Sequence, residues 1–406
     1  MSEKTIIVRE AYDWITEDVI SPAQYEELIR YIEEKYPNVD IVDLKYKKIR
    51  FINYVGVIQC SDVRYEILPK INLSKVDERK ALLSMLSVSN FLPISFYEKV
   101  KNGSEYSDLL SAFLAAFLER LLNGLRKGLY KSYETHSENL YVLKGKLELK
   151  EHIGRNAFIK TRAYCSFDEH SENNPLNQLF KAALLIVRKK ISLQSLKLHI
   201  ERCLGYLENV DLVEFDAASI SKITLNRQNE RFRDAAIFAK LIIEHASIYS
   251  RGQRSSSFSF LFPMNLLFEK YIEVALKESV GYGSLASQHA EKRLLRNKKS
   301  GYRNILLKPD FVINEDIILD TKWKSATYQG RTNYTQADIY QMYAYVTAYE
   351  KVNRCILLYP KQEGEQDLPN WEVIDTEKTI EMHTVRIDNY EGTVEELMEI
   401  IKYDVE

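Results

Sequence analysis

The chain has 406 residues, enough for two or three domains, and its 45% hydrophobic and 28% charged content suits a globular protein with a sizeable core. A formal net charge of −2 gives the whole chain no polyanion-binding signature. No apolar run approaches the ~20 residues of a membrane span, and Cys60, Cys165, Cys203 and Cys355 form no C-x-x-C pair, which speaks against a zinc ribbon, an iron–sulfur site or a disulfide scaffold.

The opening MSEKTIIVREAYDW shows no secretory pattern, so a protein of the reducing cytoplasm with four lone thiols is expected. Residues 1–105 mix strand-like runs (KTIIVRE, KKIRFINYVGVI, YEILPKI) with helical ones (PAQYEELIRYIEEKY, ERKALLSML), as in a small α+β domain. Residues 106–259 form a mainly helical domain, with apolar spacing near 3.6 over 107–130, 174–191, 195–207 and 233–248. A β excursion is expected at 140–150 (LYVLKGKLEL), where Gly145 marks a bend or a close backbone approach. The Ser-rich run 250–259 is the best linker candidate, and residues 260–406 read as an α/β domain. The expected class is therefore a multidomain α+β and α/β protein.

Within the last domain, 305–313 (ILLKPDFVI) and 317–323 (IILDTKW) are β-branched runs either side of Asn314-Glu315-Asp316, which predicts a hairpin. A turn centred near Glu315 sets Asp310 opposite Asp320, where cross-strand Cβ atoms are roughly 5 Å apart and like charges repel. Lys322 falls on the face of Asp320 by the period of two. Two acids and a lysine on a hairpin fit either a surface salt-bridge cluster or a divalent-metal site with a cation beside it. Mg²⁺ takes hard oxygens, keeps several waters and needs only one or two carboxylates against a phosphate.

Two helices flank the hairpin. In Met264–Val280, Glu269 borders the apolar stripe and fits a solvated glutamate or a third metal carboxylate. In 335–350, Gln341 and Tyr345 share one face at i, i+4, so the tyrosine serves either the core or a site. Residues 291–303 carry Lys292, Arg293, Arg296, Lys298, Lys299 and Arg303 against one Glu. Such a basic loop is either simply solvated or touches phosphates, and its position just before the hairpin favours phosphates. Residues 361–406 hold fourteen acids and four Lys or Arg, and are expected to face away from nucleic acid.

No phosphate-loop pattern occurs, so the chain is no nucleotide-driven motor by itself, and the seven histidines show no ligand spacing for a zinc hydrolase.

In order, Glu269, Pro309-Asp310, Asp320-Thr321-Lys322 and Gln341-x-x-x-Tyr345 resemble the PD-(D/E)xK nuclease superfamily, in particular its RecB-like branch. The words around them (MNLLFE at 264–269, LDTKWK at 319–324, DIYQM at 338–342) resemble the McrC family, the nuclease subunit of McrBC-type modification-dependent restriction systems. Val57-Ile58, Ile67 to Ile71, Lys144-Gly145-Lys146-Leu147, Cys165 to Glu169 and Asn177 extend the likeness over roughly residues 50–350, with Lys144 where the family word has Arg. The resemblance implies a carboxy-terminal nuclease fold with a central mixed sheet flanked by helices. It also implies Mg²⁺ held by Glu269, Asp310 and Asp320, with Asp310, Asp320, Lys322, Gln341 and Tyr345 as the catalytic set. Implied partners are double-stranded DNA and a McrB-like AAA+ GTPase that this chain stimulates, docked on the first two domains. A stand-alone RecB-like repair nuclease, or a scaffold that regulates a motor, are the competing readings.

Overall fold

The computed structural model describes residues 4–60, 62–70, 78–89, 108–189, 191, 193–245, 258–281, 284–328, 331–362 and 367–402. It divides into two compact units, one of residues 1–105 with 261–406 and the other of residues 106–260. The expected 1–105 and 260–406 domains thus share one unit. The reason is long-range pairing. Strand Phe258–Pro263 joins the sheet of Lys4–Arg9, Val63–Leu68 and Tyr54–Gln59 at its edge, and the amide of Met264 donates to Asn53 O at 2.8 Å. Most of the linker candidate 250–259 lies outside the described residues.

In the first unit, helix Pro22–Lys35 opens on a Ser21 capping box with Pro at its first turn. It covers a core of Val8, Leu28, Ile32, Ile49, Phe51, Tyr65 and Ile67. The other half of this unit is a six-stranded mixed sheet in the order Leu285–Ser287, Phe311–Ile313, Ile317–Thr321, Arg354–Pro360, Thr379–Val385, Asn370–Glu372. Its middle pairs, 317–321 with 354–360 and 354–360 with 379–385, are parallel, and the outer ones are antiparallel. Helix Gln336–Ala348 covers one face, setting Met342, Tyr345 and Val346 on Val312, Ile318, Cys355 and Leu357. Helix Met264–Val280 packs against strand Ile317–Thr321 and against helix Tyr390–Ile401, where Tyr271 Oη lies 2.9 Å from Thr393 Oγ1.

One predicted strand breaks in two. Residues 305–313 do not run straight into the hairpin: Arg303–Leu306 pairs with Arg293–Arg296, and only Phe311–Ile313 pairs with Ile317–Thr321. Pro309, between the two pieces, has no N–H to give a ladder, and Ile305 at φ 58° bends the first piece itself, where its pairing skips from Asn304 to Leu306. The basic segment is therefore an exposed hairpin and not a loop, closed by Gly301 at φ 71° and by Asn297 Oδ1, which accepts from the amides of Lys299 and Ser300.

In the second unit, helices Leu109–Leu125, Pro175–Arg188, Gln194–Tyr206 and Arg233–His245 pack together. The expected β excursion at 140–150 is shorter than predicted: the long strands are Ser132–Leu140 and Ala163–Ser171, and beyond Leu140 only Lys146–Leu147 pairs within it. Gly145 there has φ 68°, and a Cβ would meet Ser166 O at 2.4 Å, so both the turn and the close approach require glycine. Asn177 is buried and donates to Tyr130 O at 2.8 Å and Glu172 O at 2.7 Å, tying the helix start to the residues just before strand Ser132–Leu140 and just after strand Ala163–Ser171.

Candidate active site

The hairpin register puts the two acids where the alternation predicts. Phe311 pairs with Leu319, Val312 with Ile318 and Ile313 with Ile317, so Asp310 and Asp320 are the next opposed positions. Asn314 and Glu315 make the turn with left-handed backbone, φ 51° and 61°. Asp310 Oδ2 accepts from the amide of Thr321 at 2.8 Å and from its hydroxyl at 2.7 Å, so one carboxylate oxygen is fixed and the other is left for a ligand.

Asp320 is only 3% exposed, because strand Ile317–Thr321 lies inside the sheet between two others. Burial first, and then the charge of Asp310, pushes its carboxyl up to about 7. Lys322 works in the opposite direction, with Nζ 2.5 Å from Asp320 Oδ2. The same ammonium donates to Gln341 Oε1 at 3.1 Å. Gln341 Nε2 in turn donates to Tyr345 Oη at 2.8 Å, with Asp320 Oδ1 at 3.4 Å. The helix that brings Gln341 and Tyr345 starts at a Thr335–Asp338 capping box, and Asp338 Oδ2 also accepts from Lys324 Nζ at 2.6 Å. Tyr345 is buried, and burial pushes its hydroxyl well up, so it acts as a neutral hydrogen-bonding group.

Glu269 is half-buried at the edge of this group. Its carboxyl is pushed up by burial and by the charge of Asp310, and its Oε1 accepts from Gln288 Nε2. Gln288, which the sequence pattern did not single out, also gives its backbone amide to Asp310 O at 2.7 Å and so ties two of the acids together. Among the described residues no three His, Cys, Asp or Glu side chains stand close enough to share a metal ion. The donor chemistry nevertheless fits a hard cation that takes one or two carboxylates and keeps its waters, with Asp310 and Asp320 as donors and Glu269 beside them. Lys292, Arg293, Arg296, Lys298, Lys299 and Arg303 are all exposed on or beside the basic hairpin, whose strand Arg293–Arg296 packs against helix Gln336–Ala348. Paired acids at the end of a buried strand, with a lysine held on one of them, are suited to hydrolysis of a charged ester.

No curated protein matches the chain. Among solved structures it is similar to a chain of the refined half-complex from the tetradecameric assembly of Thermococcus gammatolerans McrB AAA+ hexamers with bound McrC, at 19% identity and TM-score 0.74, covering 98% of this chain and 100% of that one. It is also similar to a chain of the cryo-EM structure of the Thermococcus gammatolerans McrBC complex, at 20% identity and TM-score 0.55, covering 69% and 89%. These likenesses bear on the fold. Residues 49–360, a span that takes in every acid of the site, match the model of the McrBC 5-methylcytosine restriction system component, and the chain belongs to that family.

Proposed function

We propose that this chain is the Mg²⁺-dependent DNA endonuclease subunit of a modification-dependent restriction complex, with a PD-(D/E)xK nuclease fold in its carboxy-terminal part. The reading also makes it a cytoplasmic protein that stimulates GTP hydrolysis by a McrB-like AAA+ partner. The observation that carries the proposal is the convergence of Asp310, Asp320 and Lys322, braced by Gln341, at the end of a buried strand. Mg²⁺ bound there would lower the pKa of a water and offset charge on the phosphoryl oxygens. Asp310 holds one oxygen toward the ligand because Thr321 occupies its other one. Lys322 Nζ brings a positive charge to the position where negative charge develops on the phosphate, and Gln341 and Asp320 keep that ammonium from swinging into solvent. The six cations of the basic hairpin supply sequence-independent contacts to DNA phosphates.

No helix among the described residues is long and apolar enough to cross a membrane. The test combines the purified chain with its AAA+ partner, GTP, Mg²⁺ and duplex DNA carrying 5-methylcytosine. Cleavage that needs every component, with GTP turnover raised by the chain, is the expected result. Fast cutting by the chain alone with Mg²⁺ and no nucleotide would replace this reading with a stand-alone repair nuclease. Stimulated GTP turnover with no cutting under any condition would replace it with a scaffold.

A further inference from the structure

Just beyond Lys322 the chain places Trp323, a 5% exposed side chain that leaves the backbone away from its two lysine neighbours. Lys322 reaches Asp320 and Gln341, and Lys324 reaches Asp338, both on the side of helix Gln336–Ala348. Trp323 goes the other way, with its ring 5.5 Å from that of Phe268, the residue before Glu269. Its indole Nε1 donates to Glu10 Oε1 at 2.6 Å, across 313 positions of sequence. Glu10 follows strand Lys4–Arg9, and its own amide is held by Leu68 O at 3.0 Å.

Glu10 is an unusual residue for a core. It is fully buried, and burial pushes its carboxyl up against the opposing pull of the Lys70 ammonium, the Trp323 indole and the backbone amides of Lys70 and Asn53. Burying an acid costs stability even with these partners, since desolvation is the largest influence on it, and an apolar side chain would avoid that cost. What an apolar side chain would lack is an acceptor for the indole N–H and for the amides of Lys70 and Asn53. Lysine side chains are long and rotate freely, whereas a buried indole anchored at both its ring and its nitrogen has one position.

We infer that Glu10 is a positioning residue of the proposed active site: through the indole of Trp323 it fixes the direction in which Lys322 and Lys324 leave the end of the catalytic strand. This rests on the reading of Asp310, Asp320 and Lys322 as a nuclease site. Loss of the contact lets the backbone at residue 323 rotate, which withdraws Lys322 Nζ from the phosphate without removing any group that touches it.

The experiment uses full-length chain with its partner and methylated DNA, and compares Glu10→Ala, Trp323→Phe, the double variant and Glu10→Gln. Either single variant is expected to lower kcat by about tenfold to a hundredfold, the cost of a small misplacement of a catalytic group, with the KM for DNA unchanged. The double variant should be no slower than the slower single one, because both remove one interaction. Glu10→Gln keeps an oxygen acceptor for the indole and should restore turnover. A readout independent of cleavage is hydrogen exchange at the amides of Thr321, Lys322 and Lys324, together with the indole N–H resonances of the three tryptophans. Exchange should rise, and one indole signal move, in Glu10→Ala. If that variant does not fold, Trp323→Phe gives the same exchange result without disturbing the carboxylate. Unchanged exchange, or full additivity of the two substitutions, overturns the inference. Wild-type protein that cuts nothing, while exchange still rises in the variants, overturns the nuclease reading and supports the clamp.

Discussion

Two neighbouring parts of one unit contrast in how they are held. Strand Ile317–Thr321 lies between two other strands, with four of its five residues buried, and its Asp320 meets a lysine, a glutamine and a second acid. Strands Arg293–Arg296 and Arg303–Leu306 form a separate two-stranded ribbon in which every residue is exposed. Groups that must act on one bond need fixed positions, and the sheet core provides them at the cost of desolvating an acid. Groups that only neutralise phosphates need charge and reach, which an exposed ribbon supplies without burial. Substitutions in the first part should therefore change rates and stability steeply, and in the second should change affinity gradually.

The steepest effect is expected at Asp320. Asp320→Ala should reduce Mg²⁺-dependent cleavage by roughly 10³-fold or more, since metal-ion charge stabilisation is worth several kcal/mol and each 1.36 kcal/mol is tenfold. A cutting rate equal to wild type would remove Asp320 from the site. The same burial has a consequence for stability without metal. The carboxyl of the folded chain sits at about 7 against an ordinary 3.8, so the folded state binds its proton more tightly than the unfolded state. That stabilisation is complete below pH about 4 and is lost as pH rises through 7, a change on the order of a few kcal/mol. Asp320→Asn has no such proton. Denaturant unfolding in chelator should show wild type losing stability relative to Asp320→Asn between pH 4 and pH 8, and parallel curves would refute the burial argument.

Much of this contrast was legible in the sequence, for local reasons. The hairpin register follows from a period of two and three polar turn residues, so the opposition of Asp310 and Asp320 needed no knowledge of the rest of the chain. Helix Met264–Val280 follows from its apolar spacing in the same way, and the helix expected over 335–350 runs from Gln336 to Ala348. What was not legible is long-range. Glu10 and Trp323 meet across 313 positions, and the return of strand Phe258–Pro263 to the amino-terminal sheet merges two expected domains. Gln288 joins Asp310 to Glu269 from a strand edge with no motif around it. The break at Pro309 carried a local signal, a proline inside a strand-like run, but the apolar residues on either side of it masked the turn.

Lys322 tests the middle of the range. It is partly exposed, unlike Asp320, yet two partners hold it. Lys322→Ala should slow cleavage by about 10²-fold, the loss of one preorganised electrostatic contact. Metal affinity measured by calorimetry should hold or strengthen slightly, because an ammonium competing for Asp320 is gone. Loss of metal binding in this variant would mean that the lysine organises the acids, and the division of roles within the site would need redrawing.

The gentlest effect is expected at the ribbon. Lys298, Lys299 and Arg303 are exposed at or beside its turn, and none of them supports the core. Replacing all three with Ala should leave melting temperature and the cleavage rate at saturating DNA close to wild type. Affinity should fall about equally for methylated and unmethylated duplexes, because phosphate contacts carry no base information. Each lost contact reduces the slope of log affinity against log salt by about 0.9, so three should reduce it by roughly 2.7. Between 50 and 200 mM salt that slope alone corresponds to roughly a 40-fold difference, so the two proteins should converge in affinity as salt rises. A reduced rate at saturating DNA with an unchanged salt slope would reverse the contrast, since the ribbon would then be acting on the site through its packing on helix Gln336–Ala348 and not on DNA. An unchanged slope with an unchanged rate would assign the ribbon to solvent or to the AAA+ partner, and the DNA path would have to be sought elsewhere on the unit.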